Sequence, residues 1–513
     1  MAMGFPIRHR IAMVTLIVSL TRRQLLYSLC LVALTLSSCA LQPRALREDQ
    51  RPVVPAGWSE KTTDAESTDG KTSPRVTMPV AADALQGWWA RFDDPLLSQL
   101  VEQSLRFNTS VKRARASLEK SRALRDVSAA ALWPSLGVSA SAGPSKTGSN
   151  PRINTYNAGF DASWELDIFG VNRSALNASN ADALASASTL GNIQIAVAAE
   201  VALSYIALRN AQARLAIALS NLASQQDTLQ ITRWRLEAGL VSSLEAEQAR
   251  AAAAQTSALI PALQTTIEQT QHAIAVLVGQ PPATLSSLLS PIQPMPQAPD
   301  TLALSLPAET LRQRPDVRAA EHQIHAAQAR VSQASAARLP DFSLSGSLGL
   351  TATRIASVSS GSTLISTLIA VVSAPLFDGG GLRAQVRVQE AALDEALFAY
   401  QATVLAALTD VEDALTALRG DRERFVRLQQ AADAASNAAL MARQRFSSGL
   451  VDFQVVLETQ RTQLTTQDTL AITRADVSAD HVRLYKALGG GWLPDSEISL
   501  AARERGSSQP QTP

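Results

Sequence analysis

The sequence predicts an α+β membrane protein. Four strands per chain close a trimeric 12-stranded β-barrel, which continues into a long periplasmic α-helical coiled-coil barrel, and the chain is built from two internal repeats. Three observations carry this expectation. Proline is absent from Arg152 to Ile260 and from Leu376 to Leu493, leaving room for very long helices. Short segments of period-two alternation lie ahead of both long helices. The same order of features occurs twice. Composition agrees: alanine is about one residue in six, which allows close helix approach, and charged residues are only 18%. A net charge of +1 excludes a strongly basic nucleic-acid binder, and 46% hydrophobic residues exclude a disordered chain.

Taken in order, residues 1–38 read as a secretory signal peptide. They hold Arg8, Arg10, Arg22 and Arg23 and no acid, so removing them changes the net charge from +1 to −3. Arg22-Arg23 precede an apolar run from Leu25 to Leu36, the order of a charged region and an apolar core in a signal. The run ends Leu36-Ser37-Ser38-Cys39, a bacterial lipobox pattern in which the Cys39 sulfur takes the lipid. An ordinary signal cut nearby, with Cys39 incidental, is the other reading. Ala40, in place of an aspartate, favours sorting to the outer membrane. Residues 39–85 then form the lipid anchor and a flexible tether rich in Pro, Ser, Thr and charge.

Repeat 1 spans 86–279 and repeat 2 spans 308–490. Val111 matches Val317 and Pro134 matches Pro340 at an offset of 206; Gly239-Leu240-Val241 matches Gly449-Leu450-Val451 at 210. The offset grows in small steps, as when only loops change length. Residues 280–307, with seven prolines, form the linker between repeats, and 491–513 are a tail. In repeat 1 a helix is expected from Val171 to Ala238, about 100 Å long at 1.5 Å per residue, stopping at Gly239. A second helix returns from about Ser243 to Gly279. Repeat 2 does the same from about Leu382 to Ser448, turns at Gly449 and returns to Leu488.

The β-hairpins are expected at about 134–169 and 340–377. Tyr156, Phe160, Trp164 and Leu166 alternate with Asn157, Asp161, Ser163 and Glu165; Phe342, Leu344, Leu348 and Leu350 alternate with serines and glycine. A less tidy strand runs through Leu364–Leu376. A soluble hairpin packed on a core is one reading. A transmembrane hairpin, apolar toward lipid and polar toward water, is the other, and the outer-membrane address favours it. Four strands cannot close a barrel, and an open edge is not tolerated in lipid. Three copies give twelve strands and the simplest closure.

Several stretches resemble the TolC-like outer-membrane efflux proteins, in particular the lipidated NodT type of resistance–nodulation–division systems. They are Trp88-Trp89-Ala90-Arg91-Phe92-Asp93-Asp94-Pro95-Leu96, Ala275 to Pro282, Leu311-Arg312-Gln313-Arg314-Pro315-Asp316-Val317-Arg318, Ala337-Arg338-Leu339-Pro340 and Pro375-Leu376-Phe377-Asp378-Gly379-Gly380. The resemblance implies a homotrimer in the outer membrane with a large periplasmic portion. It also implies a periplasmic membrane-fusion adaptor and an inner-membrane resistance–nodulation–division transporter as partners. By position it implies a gate carboxylate at Glu458, within Leu457-Glu458-Thr459-Gln460-Arg461, where the family carries aspartate. Asp452 is a second, weaker gate position. The family's tyrosine and arginine near this turn are replaced here by Phe446 and Val451. Gly239, Leu240, Val241, Gly449, Leu450 and Val451 form apolar turns suited to an adaptor groove.

The function expected is a passive exit duct for small molecules in a tripartite efflux pump. Alternatives are the exit duct of a type I protein secretion system, or a periplasmic coiled-coil scaffold lipoprotein without a pore. No catalytic arrangement stands out, so no enzyme activity is assigned. No metal is assigned either, despite His322 and His325 at i, i+3, and no cofactor beyond the covalent lipid on Cys39.

Overall fold

The computed structural model describes residues 54–55, 57–58, 87–146, 148, 152–297, 311–354, 362–490 and 492. The signal, Cys39, most of the tether, part of the linker and most of the tail lie outside the described residues. A 3-10 turn at Trp88–Phe92 leads into α1 (Pro95–Phe107) and α2 (Thr109–Ala130). Strands β1 (Ser135–Ser145) and β2 (Ile153–Glu165) follow, then α3 (Val171–Glu237) and α4 (Ser243–Leu277). A single helical turn, α5 (Ser286–Leu289), interrupts the linker. The second repeat is α6 (Pro315–Ala336), β3 (Asp341–Ala352), β4 (Thr363–Ser373), α7 (Gly381–Ser447) and α8 (Phe453–Ala487).

The two repeats match element for element. Each long helix has 67 residues, about 100 Å. Each return helix has 35 residues and each short helix 22. End to end, a return helix and a short helix give about 85 Å, close to one long helix. The chain uses this match. Asn108, which caps α2, donates from Nδ2 to the Leu277 carbonyl at the end of α4 (2.9 Å). At the equivalent place in repeat 2, Arg314 donates from Nη1 to the Ala487 carbonyl at the end of α8 (2.8 Å). The pairs α4–α2 and α8–α6 thus run as broken helices beside α3 and α7.

Glycine makes these joints possible. Gly279 has φ +79°, and a Cβ there would lie 2.6 Å from the Phe107 carbonyl oxygen. At its counterpart Gly489, φ +88°, a Cβ would lie 3.0 Å from the Gln313 carbonyl oxygen and 3.2 Å from the Arg314 Cα. Arg314 also pairs with Asp316 (2.7 Å) and Asp410 (2.9 Å), which raises its pKa against the opposing effect of burial. The Arg-Pro-Asp-Val stretch is therefore a helix joint: Pro315 starts α6 with no N–H to satisfy, and Arg314 ties that start to the end of α8.

The main core sits around these joints. Trp88 stacks on Tyr485 at 5.4 Å between ring centroids, and Phe92 meets both rings edge-on. Asp94 caps α1 and accepts from the Tyr205 hydroxyl (2.8 Å). Arg209 donates to Tyr205 Oη (3.0 Å), to Gln212 (2.7 Å) and to the Pro291 carbonyl (2.7 Å), strapping the linker across α3. Burial pushes the Tyr205 hydroxyl up to about 12, so it remains a donor.

The four strands form one antiparallel sheet in the order β1-β2-β3-β4. The β2–β3 pairing joins the repeats, with Phe160 opposite Leu348 and Trp164 opposite Leu344. Directly opposed residues share a face, so the alternation in β1, β2 and β3 adds into one apolar face and one Ser/Gly-rich face, while β4 carries aliphatic residues on both. On the polar face Gly159 opposes Gly349, and a Cβ at Gly159 would lie 2.9 Å from the Gly349 Cα. That contact lets the sheet curve tightly toward its polar side. Among the described residues, the outer strands β1 and β4 each leave one edge unpaired.

The sheet-to-helix corners are capped by aspartates. Asp167 accepts from the backbone N–H groups of Asn172 and Arg173 at the start of α3, and Asp378 from those of Gly380 and Leu382 at the start of α7. Both α3 and α7 contain windows apolar enough to cross a membrane by composition alone. In α3 half of that window is buried inside the chain; in α7 it is 22%. Much of the apolar surface of α7 therefore has no cover within one copy.

Candidate functional site

The functional geometry lies at the two ends of the molecule: the open-edged sheet, and the turns between long and return helices. Both turns close by the same hydrogen bonds. At the first, Gly239 (φ +69°) donates to the Leu236 carbonyl and Leu240 to that of Arg235; at the second, Gly449 (φ +73°) donates to Phe446 and Leu450 to Arg445. This six-to-one closure requires a left-handed residue after the helix, which explains glycine at both places. The next helices begin differently. Ser242 starts α4 with a capping box, its N–H donating to the Glu245 carboxylate. Asp452 occupies the corresponding place before α8, and its side chain makes no cap bond.

The six tip residues divide by exposure. Leu240 and Leu450 are 69% and 74% exposed. Val241 and Val451 are half-buried, and Val451 packs against the cluster of Phe446, Phe453, Val456 and Leu457. The turn read as wholly exposed is therefore apolar and open at its leucines, while Val451 packs on the hairpin. Exposed Trp234 and Leu244 enlarge the first apolar tip, and Val455 the second.

Phe446, in the last turn of α7, is held in place. Arg235 from α3 donates to the Phe446 carbonyl (2.9 Å) and lies 4.5 Å from its ring centroid. Phe446 in turn meets Phe453 edge-on at 5.7 Å. One guanidinium thus ties the two tips of a copy together. The sequence offered no signal for it, because Arg235 and Phe446 are 211 positions apart.

Glu458 lies two turns into α8, exposed, between buried Leu457 and half-buried Thr459. Its neighbour Gln460 turns inward and donates to the Thr228 hydroxyl (3.0 Å), fixing the rotation of α8 against α3. That rotation presents Glu458 and Asp452 to solvent.

A charged group unforeseen in the sequence lies at the other end of α8. Asp480 is fully buried and accepts from Arg483. Burial first, and then nearby Asp421, push its carboxyl up to about 6; burial and Asp421 likewise raise Asp476. It lines a cavity of about 460 Å³ between α3, α6, α7 and α8, with Arg314, Asp410, Asp413, Arg483 and Lys486. Burial holds His322 below the ordinary imidazole value. Among the described residues no group of three or more His, Cys, Asp or Glu is placed to hold a metal.

The chain matches known proteins over most of its length. The profile described as outer membrane efflux protein covers residues 100–280 and 306–490. The toluene efflux pump outer membrane protein TtgF of Pseudomonas putida is 31% identical over 483 residues, 92% of this chain and 98% of that protein. The outer membrane protein OprJ of Pseudomonas aeruginosa is 29% identical over 489 residues, 94% of this chain and 98% of that protein. The solved outer-membrane channel OprN superposes with a TM-score of 0.75 at 36% identity, covering 83% of this chain and 98% of that one.

Proposed function

The chain belongs to the outer membrane efflux protein family, and from that premise we propose that it is the exit duct of a tripartite pump. A periplasmic membrane-fusion adaptor and an inner-membrane transporter of the resistance–nodulation–division type feed it small molecules, and it passes them outward without doing chemistry on them. The observation that carries this reading is the sheet. Its unpaired β1 and β4 edges and continuous apolar face can be satisfied in lipid only by further copies, and its polar face then lines a water-filled opening. Toluene is in the name of one relative; apolar small molecules are the corresponding cargo class here.

In this reading Cys39 carries the lipid and residues 39–85 tether it. The tips do the regulated work. Leu240 and Leu450, supported by the half-buried valines and the two glycine turns, dock in the adaptor. Three copies of Glu458 ring the periplasmic opening, with Asp452 as a weaker second ring, and draw cations to it.

Deleting the gene should raise cellular accumulation of an apolar fluorescent dye such as Nile red, and the wild-type gene should restore export. Leu450→Asp should fail to restore it while still yielding trimers in the outer membrane, because a charge at the exposed tip blocks docking and not assembly. Full restoration by Leu450→Asp would remove the tip from the docking surface. Unchanged accumulation on deletion would count against small-molecule export.

A further inference from the structure

Three strands of the sheet obey the rule of a membrane barrel, and β4 does not. The lipid side is set by Leu136 and Val138 on β1, Phe160 and Trp164 on β2, and Leu344 and Leu348 on β3. On the opposite side these strands carry Ser, Gly, Thr, Asn, Asp and Glu within the paired region, with Ile153 at the start of β2 the one aliphatic residue there. In β4 the lipid side holds Leu364, Leu368 and Val372, opposite Leu350, Gly346 and Phe342. Its other side holds Ile365 opposite Gly349, Thr367 opposite Ser347, Ile369 opposite Ser345 and Val371 opposite Ser343. That is the side on which β1 to β3 are polar.

The three aliphatic residues stand above their flank. The β3 neighbours are Gly and Ser, and Ile365, Ile369 and Val371 keep 47%, 50% and 45% exposure beside them. When the barrel closes, the strand across the seam is β1 of the next copy. On the same side it offers Ser135, Gly137, Ser139, Ser141 and Gly143, which are equally small. Closure therefore leaves the ridge uncovered. It runs about 20 Å along the strand from Ile365 to Val371.

We propose that β4 lines the barrel lumen with an apolar ridge, once per copy, that binds apolar aromatic solutes weakly as they leave. The inference rests on the exit-duct reading and adds the cargo chemistry of the barrel itself. A conduit works when contacts are favourable enough to admit a solute, yet weak and repeated enough to release it. A spaced row of aliphatic side chains in a polar lumen meets that requirement for an apolar molecule and offers nothing to a hydrated ion.

The test is single-channel recording on full-length trimers in planar bilayers, with indole added on the barrel side. Wild type should show brief indole-dependent blockades. Ile365→Ser/Ile369→Ser/Val371→Ser should shorten blockade dwell time at least fivefold and leave KCl conductance unchanged, with Ile369→Ser alone intermediate. Blockades of equal duration in the triple variant would overturn the proposal. So would loss of heat-stable trimers in both variants, which would make the ridge a seam contact. Wild-type trimers that conduct no ions would instead refute the duct reading beneath it.

Discussion

Arg235 reaches from the last turn of α3 to the carbonyl and ring of Phe446, so a single guanidinium joins both hairpin tips of a copy. Against that brace, Glu458 is exposed one turn beyond the aromatic cluster at the start of α8. A carboxylate ring there should bind divalent cations. Conductance of wild-type trimers should fall when magnesium is added on the periplasmic side, and Glu458→Gln should weaken that block about tenfold; an equal block in both would take Glu458 out of the gate. Asp480 gives a second prediction at this scale. Its carboxyl titrates near 6 in the fold against 3.8 in the unfolded chain, so the folded state holds the proton more tightly. Stability from this group is therefore present at low pH and declines as pH rises through the interval between those values. Asp480→Asn should raise the melting temperature at pH 7.5 and flatten its decline between pH 4 and 6. A lower melting temperature at pH 7.5 would show that the Arg483 pair outweighs burial. Neither Arg235 nor Asp480 was legible in the sequence, because each depends on contacts with a distant helix.

The elements themselves were largely legible. Proline-free, alanine-rich stretches have few alternatives to helix, and Gly239 and Gly449 mark where helix must stop. The β2 and β3 alternation was plain for the same reason. β4 was harder to read because apolar residues occupy both parities, Leu364, Leu368 and Val372 on one face and Ile365, Ile369 and Val371 on the other. The helix joints were not legible as joints. Asn108 and Arg314 are repeat-equivalent but chemically unlike, and each bonds a carbonyl about 170 residues away. Two glycines separate the roles. Gly239→Ala meets nothing within 4 Å and should lower stability by only about 1 kcal/mol, the left-handed backbone penalty. Gly279→Ala adds a clash with the Phe107 carbonyl and should lower it by more than about 2 kcal/mol. Equal losses in thermal denaturation of the two variants would mean that the α4–α2 joint is not tightly packed.

At the scale of the whole molecule, one copy is visibly incomplete. Among the described residues its sheet has two unpaired edges, and its second long helix leaves most of an apolar window uncovered. The repeat explains the economy: one helix–hairpin–helix unit, used twice, supplies a strand pair and a tube-wall segment each time. The copy number that closes the barrel was legible from strand arithmetic, because four strands per chain cannot close and three copies give twelve. The most direct test is native mass spectrometry of the purified outer-membrane protein, followed by recording of the same sample in planar bilayers. The account predicts a trimer that survives detergent and conducts ions. A monomer, or a trimer that never conducts under any tip-opening condition, would contradict it.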